Sequence, residues 1–414
     1  MNIDNFKKIC VVGWGKSGFS LCNLLLFLKK DVRLTEIKKR ECFNASLIDK
    51  FKTKGVIFEF EGHSENFIKD CDLVVVSPGV DALNSQAVKF ARSAGIPYVG
   101  EVEFSSWLTQ AKFIALTGTN GKTTTTFLTY RALRAKRKRV FLGGNIGIPV
   151  SSFILNTSKN DVIVLEASSF QLETIMKFKP YVAALLNIEP NHLDRHTNFK
   201  EYFEAKMNIF KNQDENDWAV LNKSMDLLGD IKKRLKSEIL YFSSEFPNEN
   251  YSCVYRIASI FGISKIDCEK IFSAFKGIPH RLQAVRTVKG VTFINDSKST
   301  NPSSTVWALK NTKGPLILIA GGKDKGVDYS MIVPYSRNVK KVNLFGQAAE
   351  KIKQSLYSHV SVDVHRSLRE VVFSSFKEAV PGDTVLLSPM CSSFDMFSNY
   401  MERGRKFIEI VNSL

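Results

Sequence analysis

The stretch Lys112-Phe-Ile-Ala-Leu-Thr-Gly118-Thr-Asn-Gly121-Lys122-Thr123-Thr124-Thr-Thr-Phe-Leu128 decides how the chain folds. A short apolar run predicts a buried strand, a loop with two glycines follows, and a segment of helical composition begins at Thr123. Strand, loop and helix in that order form a phosphate cradle. The glycines admit close approach of the backbone, amides at the helix start face anionic oxygens, Lys122 offsets β/γ charge, and Thr123 can hold Mg²⁺. Leu116 stands where the eight-residue form of this loop has glycine, so the stretch is a shortened variant; a tight turn carrying a solvated lysine is the plainer alternative.

A chain of 414 residues has length for two or three domains, each with enough apolar sequence for a core. Absence of an 18-residue apolar window and of a signal-peptide core near Met1 to Lys8 leads to the expectation of a soluble, cytoplasmic protein without a transmembrane segment. Seven cysteines without paired spacing predict free thiols, not a disulfide framework or a zinc site. The net charge of +17 is spread in short groups such as Lys38 to Arg40 and Arg134 to Arg139, which reads as solvated surface or attraction for small polyanions, with no nucleic-acid partner expected.

Working outward toward the N-terminus, an apolar strand Ile9 to Val12 leads into Gly13-Trp-Gly15-Lys-Ser-Gly18 and a helical run to Leu28. A second strand ends at Glu36, about twenty residues on, where dinucleotide-binding units place a ribose-binding acid. Leu73 to Val76 and then Ser77-Pro78-Gly79 supply another strand and loop. These features predict a Rossmann-like domain over 1–100 with a nucleotide-bearing ligand at its carboxyl edge.

The predicted ATP-binding domain spans 101–277. Gly143-Gly-Asn145-Ile-Gly147 is followed by a buried strand, Asp161 to Leu165, ending at Glu166, where a carboxylate suits Mg²⁺ or, alternatively, a helix cap. The strand Tyr181 to Asn187 delivers Glu189-Pro-Asn-His192-Leu-Asp194-Arg-His196, dense in groups that bind metal or phosphate. In the predicted helix from Asn198 to about Lys211, Phe199, Tyr202, Phe203, Ile209 and Phe210 make one apolar face, and Lys206 falls on it. A buried ammonium must snorkel, pair, lose its proton or be chemically changed.

The last predicted domain, 278–414, begins near Ile278-Pro279-His280-Arg281 and again alternates strands and helices. Three strand ends carry polar loops: Asp296-Ser-Lys298-Ser-Thr300-Asn301-Pro302, Gly321-Gly-Lys323-Asp324-Lys325-Gly326 and Ser388 to Tyr400. Loops of this composition on one sheet edge can converge on a single ligand.

With those residues in view, the chain resembles the Mur ligases of peptidoglycan synthesis nearly end to end, and among them the members that add D-glutamate. The similarity rests on Thr117-Gly-Thr-Asn-Gly-Lys-Thr123, Glu166-Ala-Ser-Ser-Phe-Gln-Leu-Glu173, Asn191-His-Leu-Asp-Arg195, His280-Arg281, Asn295-Asp-Ser-Lys-Ser-Thr-Asn301 and Leu387-Ser-Pro-Met-Cys-Ser-Ser-Phe-Asp395. It implies an α/β chain of three domains and an ATP-dependent ligase that joins D-glutamate to UDP-MurNAc-L-Ala through an acyl phosphate. It further implies Gly118, Thr119, Asn120, Gly121, Lys122, Thr123 and Thr124 on the ATP phosphates, with His280, Arg281, Asn295 and Asp296 near adenine and ribose, joined by Lys323 or Asp324. Thr123 and Glu166 would serve one Mg²⁺, and His192 with a carbamylated Lys206 a second. Ser17, Glu36, Ile37, Lys38, Gly79 and Asn145 would meet the UDP-substrate, and Lys298, Thr300, Lys325, Ser393 and Tyr400 would surround D-glutamate. Lys122, Lys206, Lys298 and His192 carry the expected catalytic roles, in a monomer. Tyr400 replaces the family's usual phenylalanine, Ile37 lacks the hydroxyl often found there, and Lys323 stands where some members have an acid.

Two other classes share parts of the pattern. A nicotinamide oxidoreductase would explain Gly13 to Gly18 and Glu36 but leaves the phosphate loop, Glu166 and His192 without a role. A nucleic-acid-linked ATPase would use the +17 charge and would show strongly salt-dependent DNA binding.

Overall fold

The computed structural model describes residues 3–82, 84–137, 139–189, 196–275, 277–324 and 326–414. His192 and Lys325, both expected at the site, lie outside the described residues. The chain divides into two compact units, Met1–Ala274 and Phe275–Leu414.

Among the described residues of the first unit the strands form two wholly parallel sheets. The first contains β1 (Lys8–Val12), β2 (Asp31–Glu36), β3 (Ile57–Phe60), β4 (Leu73–Val76) and β5 (Tyr98–Gly100) in the order β3-β2-β1-β4-β5. Continuous apolar runs such as Ile9 to Val12 and Leu73 to Val76 are what a parallel strand covered on both faces requires, and all of these residues are buried. Val12 pairs with both Thr35 and Val76, so β1, β2 and β4 end level and their loops share one edge. The strand order reverses at β1, which places a crevice there.

The second sheet contains β6 (Lys112–Thr117), β7 (Val140–Gly144), β8 (Val162–Glu166), β9 (Val182–Leu185), β10 (Trp218–Asn222) and β11 (Glu238–Phe242), in the order β11-β10-β9-β6-β8-β7. The helix Glu101–Ser106 ties the two sheets together through buried carboxylates. Glu101 accepts from the Ser151 amide at 2.6 Å, and Glu103 accepts from the amides of Met176, Lys177 and Phe178 and from the Trp107 indole. One apolar cluster runs from Ile9 and Leu21 through Phe104 and Phe113 to Ile209.

The second unit holds β12 (Gln283–Val288), β13 (Val291–Asn295), β14 (Leu316–Gly321), β15 (Val339–Phe345), β16 (Ser361–His365) and β17 (Thr384–Leu387), ordered β12-β13-β17-β14-β15-β16. Among the described residues, the edge hairpin β12–β13 is antiparallel and the other strand pairs of this sheet are parallel. Leu387 pairs with Asn295 on one side and Ile319 on the other, bringing the loops after β13, β14 and β17 to one edge.

Several boundaries differ from the sequence expectation. The phosphate-loop helix begins at Lys122, one residue early, because Gly121 at φ +78° already serves as its cap. The helix expected to reach Lys211 spans Phe199–Met207 and tightens into a 3-10 turn, Asn208–Phe210, after starting on the Asn198 side chain, which accepts from the Glu201 amide. The strand expected over Tyr181 to Asn187 is β9, Val182–Leu185, and Asn187 turns out to serve the phosphate loop.

Candidate active site

β6 carries the chain into the phosphate loop from a fully buried Thr117, whose hydroxyl donates to the Ala167 carbonyl at 2.9 Å and so ties the ends of β6 and β8 together. Leu116, in the place of the absent glycine, is buried within the sheet opposite Glu166. The loop then turns on Gly121, whose left-handed backbone at φ +78° favours glycine, and a Cβ there would displace the Asn250 side chain, 2.3 Å away at Oδ1. Two loop amides, Thr119 and Asn120, donate to Asn187 Oδ1 at 3.0 and 2.8 Å. Lys122 folds back over the loop, donating to the carbonyls of Gly118 at 2.7 Å and Thr119 at 2.8 Å. Thr123 is buried one residue into the helix.

Glu166 closes β8 with only 1% of its surface exposed. Its Oε1 accepts from Asn145 Nδ2 at 2.7 Å, while its Oε2 is buried with no hydrogen-bond partner among the described residues. A carboxylate oxygen left bare in the interior is costly unless a cation takes it up. That oxygen fits a divalent ion, and the hard donor set of carboxylate and hydroxyl suits Mg²⁺. Among the described residues no three His, Cys, Asp or Glu side chains cluster as a metal nest, so an ion held here would draw on Thr123 and on phosphate oxygens as well as Glu166.

Lys206 is where the sequence places a charge on an apolar face, and it is buried, at 1% exposure. Nζ donates to the Gly118 carbonyl at 2.9 Å and to Thr117 Oγ1 at 3.3 Å, and sits 4.6 Å from the centre of the Tyr202 ring. Burial, reinforced by the Lys122 charge and opposed by Glu166, pulls its pKa well below that of an ordinary lysine. The structure therefore brings Thr117 to Thr123, Asn145, Glu166 and Lys206 to the carboxyl edge of one sheet.

At the edge of the first sheet, Gly18 packs so closely that a Cβ would lie 2.0 Å from the Gly13 carbonyl, and Ser77 Oγ donates to that same carbonyl at 2.9 Å. Glu36 accepts the Trp14 amide on Oε2 at 2.7 Å and the Lys38 amide on Oε1 at 3.0 Å. Both carboxylate oxygens are thus engaged in shaping the two loops. Ser17 is half-buried beside them, while Ile37, Lys38 and Gly79 are exposed.

In the second unit Asn295 Nδ2 donates to the Gly404 carbonyl at 3.1 Å and lies 3.0 Å from His280 Nδ1. Burial, with the Arg405 charge, pulls the His280 pKa down. Asp296, 2% exposed, accepts from the Leu282 amide and from the hydroxyls of Ser299 and Ser388, and burial outweighs these bonds to push it up to about 6. Arg281 lies over the Trp307 ring at 5.4 Å. Asp324 is held down to about 2 by the Gly326 amide, Lys351 and the Tyr329 hydroxyl, while Lys323 is exposed. Lys298 donates its amide to the His280 carbonyl, Thr300 its amide to the Lys298 carbonyl, Ser393 is buried, and Tyr400 meets the His280 ring edge-on at 6.3 Å.

Sequence reasoning missed the group that orders this edge. Arg403, wholly buried, donates from Nε to Ser297 Oγ at 3.0 Å and from Nη2 to the carbonyls of Ser297 and Cys391 at 3.0 Å each. Nη1 reaches the Gly321 carbonyl at 3.4 Å, so one guanidinium ties the loops after β13, β14 and β17. The signal was present: Arg403 shares a helix face with Phe407 and Val411, as Lys206 does with Tyr202. Asn187 and Asn250 carry no such mark.

The chain matches three family descriptions in order: "Mur ligase MurD-like, N-terminal domain" over 7–100, "Mur ligase middle domain" over 116–267, and "Mur ligase, glutamate ligase domain" over 280–391. It is 37% identical to the UDP-N-acetylmuramoylalanine–D-glutamate ligase of Caldanaerobacter subterraneus subsp. tengcongensis, covering 99% of this chain and 98% of that one. It is also 37% identical to the enzyme of that name from Koribacter versatilis, with the same coverage. Among solved structures, the UDP-N-acetylmuramate-alanine ligase MurC of Thermotoga maritima shares the fold at a TM-score of 0.58 and 18% identity, over 99% of both chains. Matches that run in order along the chain, with full-length relatives at this identity, make it a member of the Mur ligase family.

Proposed function

We propose that the protein is an ATP-dependent ligase that forms the amide bond between UDP-MurNAc-L-Ala and D-glutamate in peptidoglycan precursor synthesis. The observation that carries this reading is the end-to-end likeness to ligases named for that reaction. The proposed domains are 1–100 for the UDP-substrate, 101–277 for ATP and 278–414 for the amino acid.

A carboxylate and an amine do not condense in water, so the acid must be activated. The carboxylate of the alanyl end attacks the γ-phosphorus of ATP, the bond to the β-phosphate oxygen breaks, and an acyl phosphate and ADP result. Lys122 sets its ammonium against the phosphoryl oxygens, and the loop amides of Gly121 to Thr124 hold them from the helix start. Two Mg²⁺ ions, one on Thr123 and Glu166 and one on His192 and a carbamylated Lys206, would supply charge neutralisation at the crowded phosphates. The deprotonated α-amine of D-glutamate then attacks the acyl carbon, and inorganic phosphate and a proton leave. Lys298 faces the oxyanion of that step, with Thr300, Lys325, Ser393 and Tyr400 holding the amino acid. Asn145 touches the muramoyl part, while Ser17, Glu36, Lys38 and Gly79 position the uridine diphosphate. The depressed Lys206 pKa supports the carbamate, because only the neutral amine adds to CO₂. The working form is a cytoplasmic monomer.

The test is phosphate release from ATP with UDP-MurNAc-L-Ala and a panel of amino acids. Release should be greatest with D-glutamate; a maximum with glycine or L-alanine would defeat the assignment.

A further inference from the structure

Glu166-Ala-Ser-Ser169-Phe170-Gln-Leu-Glu173 and His196 stand out in the sequence, yet beyond Glu166 they have no part in the chemistry above. In the structure they form one buried constellation. His196 Nε2 lies 3.0 Å from Ser169 Oγ, and Nδ1 lies 3.7 Å from Glu173 Oε1. With the Nδ1 proton facing Glu173, Nε2 accepts from the serine hydroxyl. The imidazole stacks on Phe170 with ring centres 5.4 Å apart and meets Tyr202 edge-on at 5.3 Å. Ser169 and His196 are each 2% exposed and Tyr202 is 1% exposed.

A serine, a histidine and a carboxylate in this order resemble a hydrolase triad, but a nucleophile sealed in the core has no access to an acyl group. The placement suggests another role. Ser169 opens the short helix three residues after Glu166, and Tyr202 precedes Lys206 by one turn of its helix. Tyr202 also reaches forward: its hydroxyl is 3.1 Å from Thr119 Oγ1 in the phosphate loop, and its ring lies against Lys206 Nζ. His196 is therefore the joint between the segment that carries Glu166 and the helix that carries Lys206.

We propose that His196 is a positioning residue for divalent-metal binding: through Ser169 and Tyr202 it sets Glu166, Lys206 and the phosphate loop in register. This rests on the ATP-dependent ligase reading and extends it to a buried residue that acts through Ser169 and Tyr202. Outer groups that orient ligands govern metal affinity by about ten- to a hundredfold, so loss of the joint should weaken the metal more than the organic substrates.

Two variants test this. Ser169→Ala removes one oxygen and spares the rings; His196→Gln keeps a polar group near Nε2 and removes the stacked ring. In folded protein, checked by thermal midpoint, each should raise the Mg²⁺ concentration for half-maximal phosphate release by about tenfold. KM for UDP-MurNAc-L-Ala and D-glutamate should stay within about twofold, the range of context effects on a remote site. Retention of Mn²⁺ by the enzyme–ADP complex, read by electron paramagnetic resonance without turnover, should fall in parallel. Wild-type protein run alongside establishes the ligase reaction independently of the variants. If both variants bind Mn²⁺ and respond to Mg²⁺ as wild type does, or lose only thermal midpoint, His196 has no positioning role.

Discussion

Lys206 Nζ donates to the Gly118 carbonyl across 2.9 Å, which puts a buried amine from the helix Phe199–Met207 against the turn of the phosphate loop. Two consequences separate function from stability. The depressed pKa means that the unfolded chain binds this proton more tightly, so at neutral pH the lysine opposes folding, and stability rises with pH toward the ordinary lysine range. Lys206→Met should therefore keep or raise the unfolding midpoint in urea while lowering kcat by about a hundredfold or more, the usual effect of losing a charge-stabilising group. Lys206→Ala should regain part of its activity with added short-chain carboxylates, which can occupy the place of a carbamate. Full activity in either variant would remove Lys206 from the mechanism.

Glu36 supports two loops at once, through the Trp14 and Lys38 amides. Glu36→Ala leaves both amides without their acceptor and should raise KM for the UDP-substrate by about tenfold, the equivalent of about 1.4 kcal/mol, the scale of one net hydrogen bond. KM for ATP should not move, because the phosphate loop belongs to another sheet. Steady-state kinetics with each substrate varied in turn distinguishes these outcomes; equal changes in both constants would indicate general loosening.

The central strands β1, β4, β6 and β8 were legible in the sequence because burial on both faces leaves an uninterrupted apolar run. Edge strands were not. In β3, β12 and β16 the exposure alternates or dominates, so Ile57 to Phe60, Gln283 to Val288 and Ser361 to His365 carry no comparable run. Within the candidate site, residues marked by an improbable type in an improbable place could be read: glycines in a loop after a strand, and Lys206 on an apolar face. Asp296 illustrates the opposite case. The family resemblance implies that it lies near adenine and ribose, but nothing local in the sequence shows that its carboxylate accepts from the Leu282 amide and the Ser299 and Ser388 hydroxyls. Partners brought from 14 and 92 residues away lie beyond any local pattern. The same holds for Asn187, which reaches the phosphate loop from 67 and 68 residues along the chain.

Arg403 satisfies three buried carbonyls with one side chain, on Ser297, Gly321 and Cys391. Burial lowers its pKa to about 10, so it remains charged at neutral pH. Arg403→Met fills much of the volume but leaves those oxygens bare, and should cost about 3 kcal/mol of stability, given about 1–3 kcal/mol for an orphaned buried group. Denaturant unfolding measures the loss. Because the loops it joins include those proposed to hold D-glutamate, KM for the amino acid should rise at temperatures where the variant is still folded. An unfolding curve that overlays wild type would show that water or a rearranged loop replaces the guanidinium.

Asp296 gives the protein a pH dependence of defined sign. Its native pKa of about 6 stands above the ordinary 3.8, so between those values the folded state holds a proton that the unfolded chain has released. Stability from this group is present in full below about pH 4 and declines through the window to about pH 6, by about 3 kcal/mol at 1.36 kcal/mol per pKa unit. Asp296→Asn cannot titrate, yet it keeps an acceptor for the Leu282 amide. The difference in unfolding free energy between wild type and this variant should therefore change by about that amount between pH 4 and pH 7, with wild type losing ground as pH rises. Urea denaturation without nucleotide, at four pH values across the window, measures it. A difference independent of pH would mean that the hydroxyls of Ser299 and Ser388 stabilise the carboxylate enough to cancel the cost of burial.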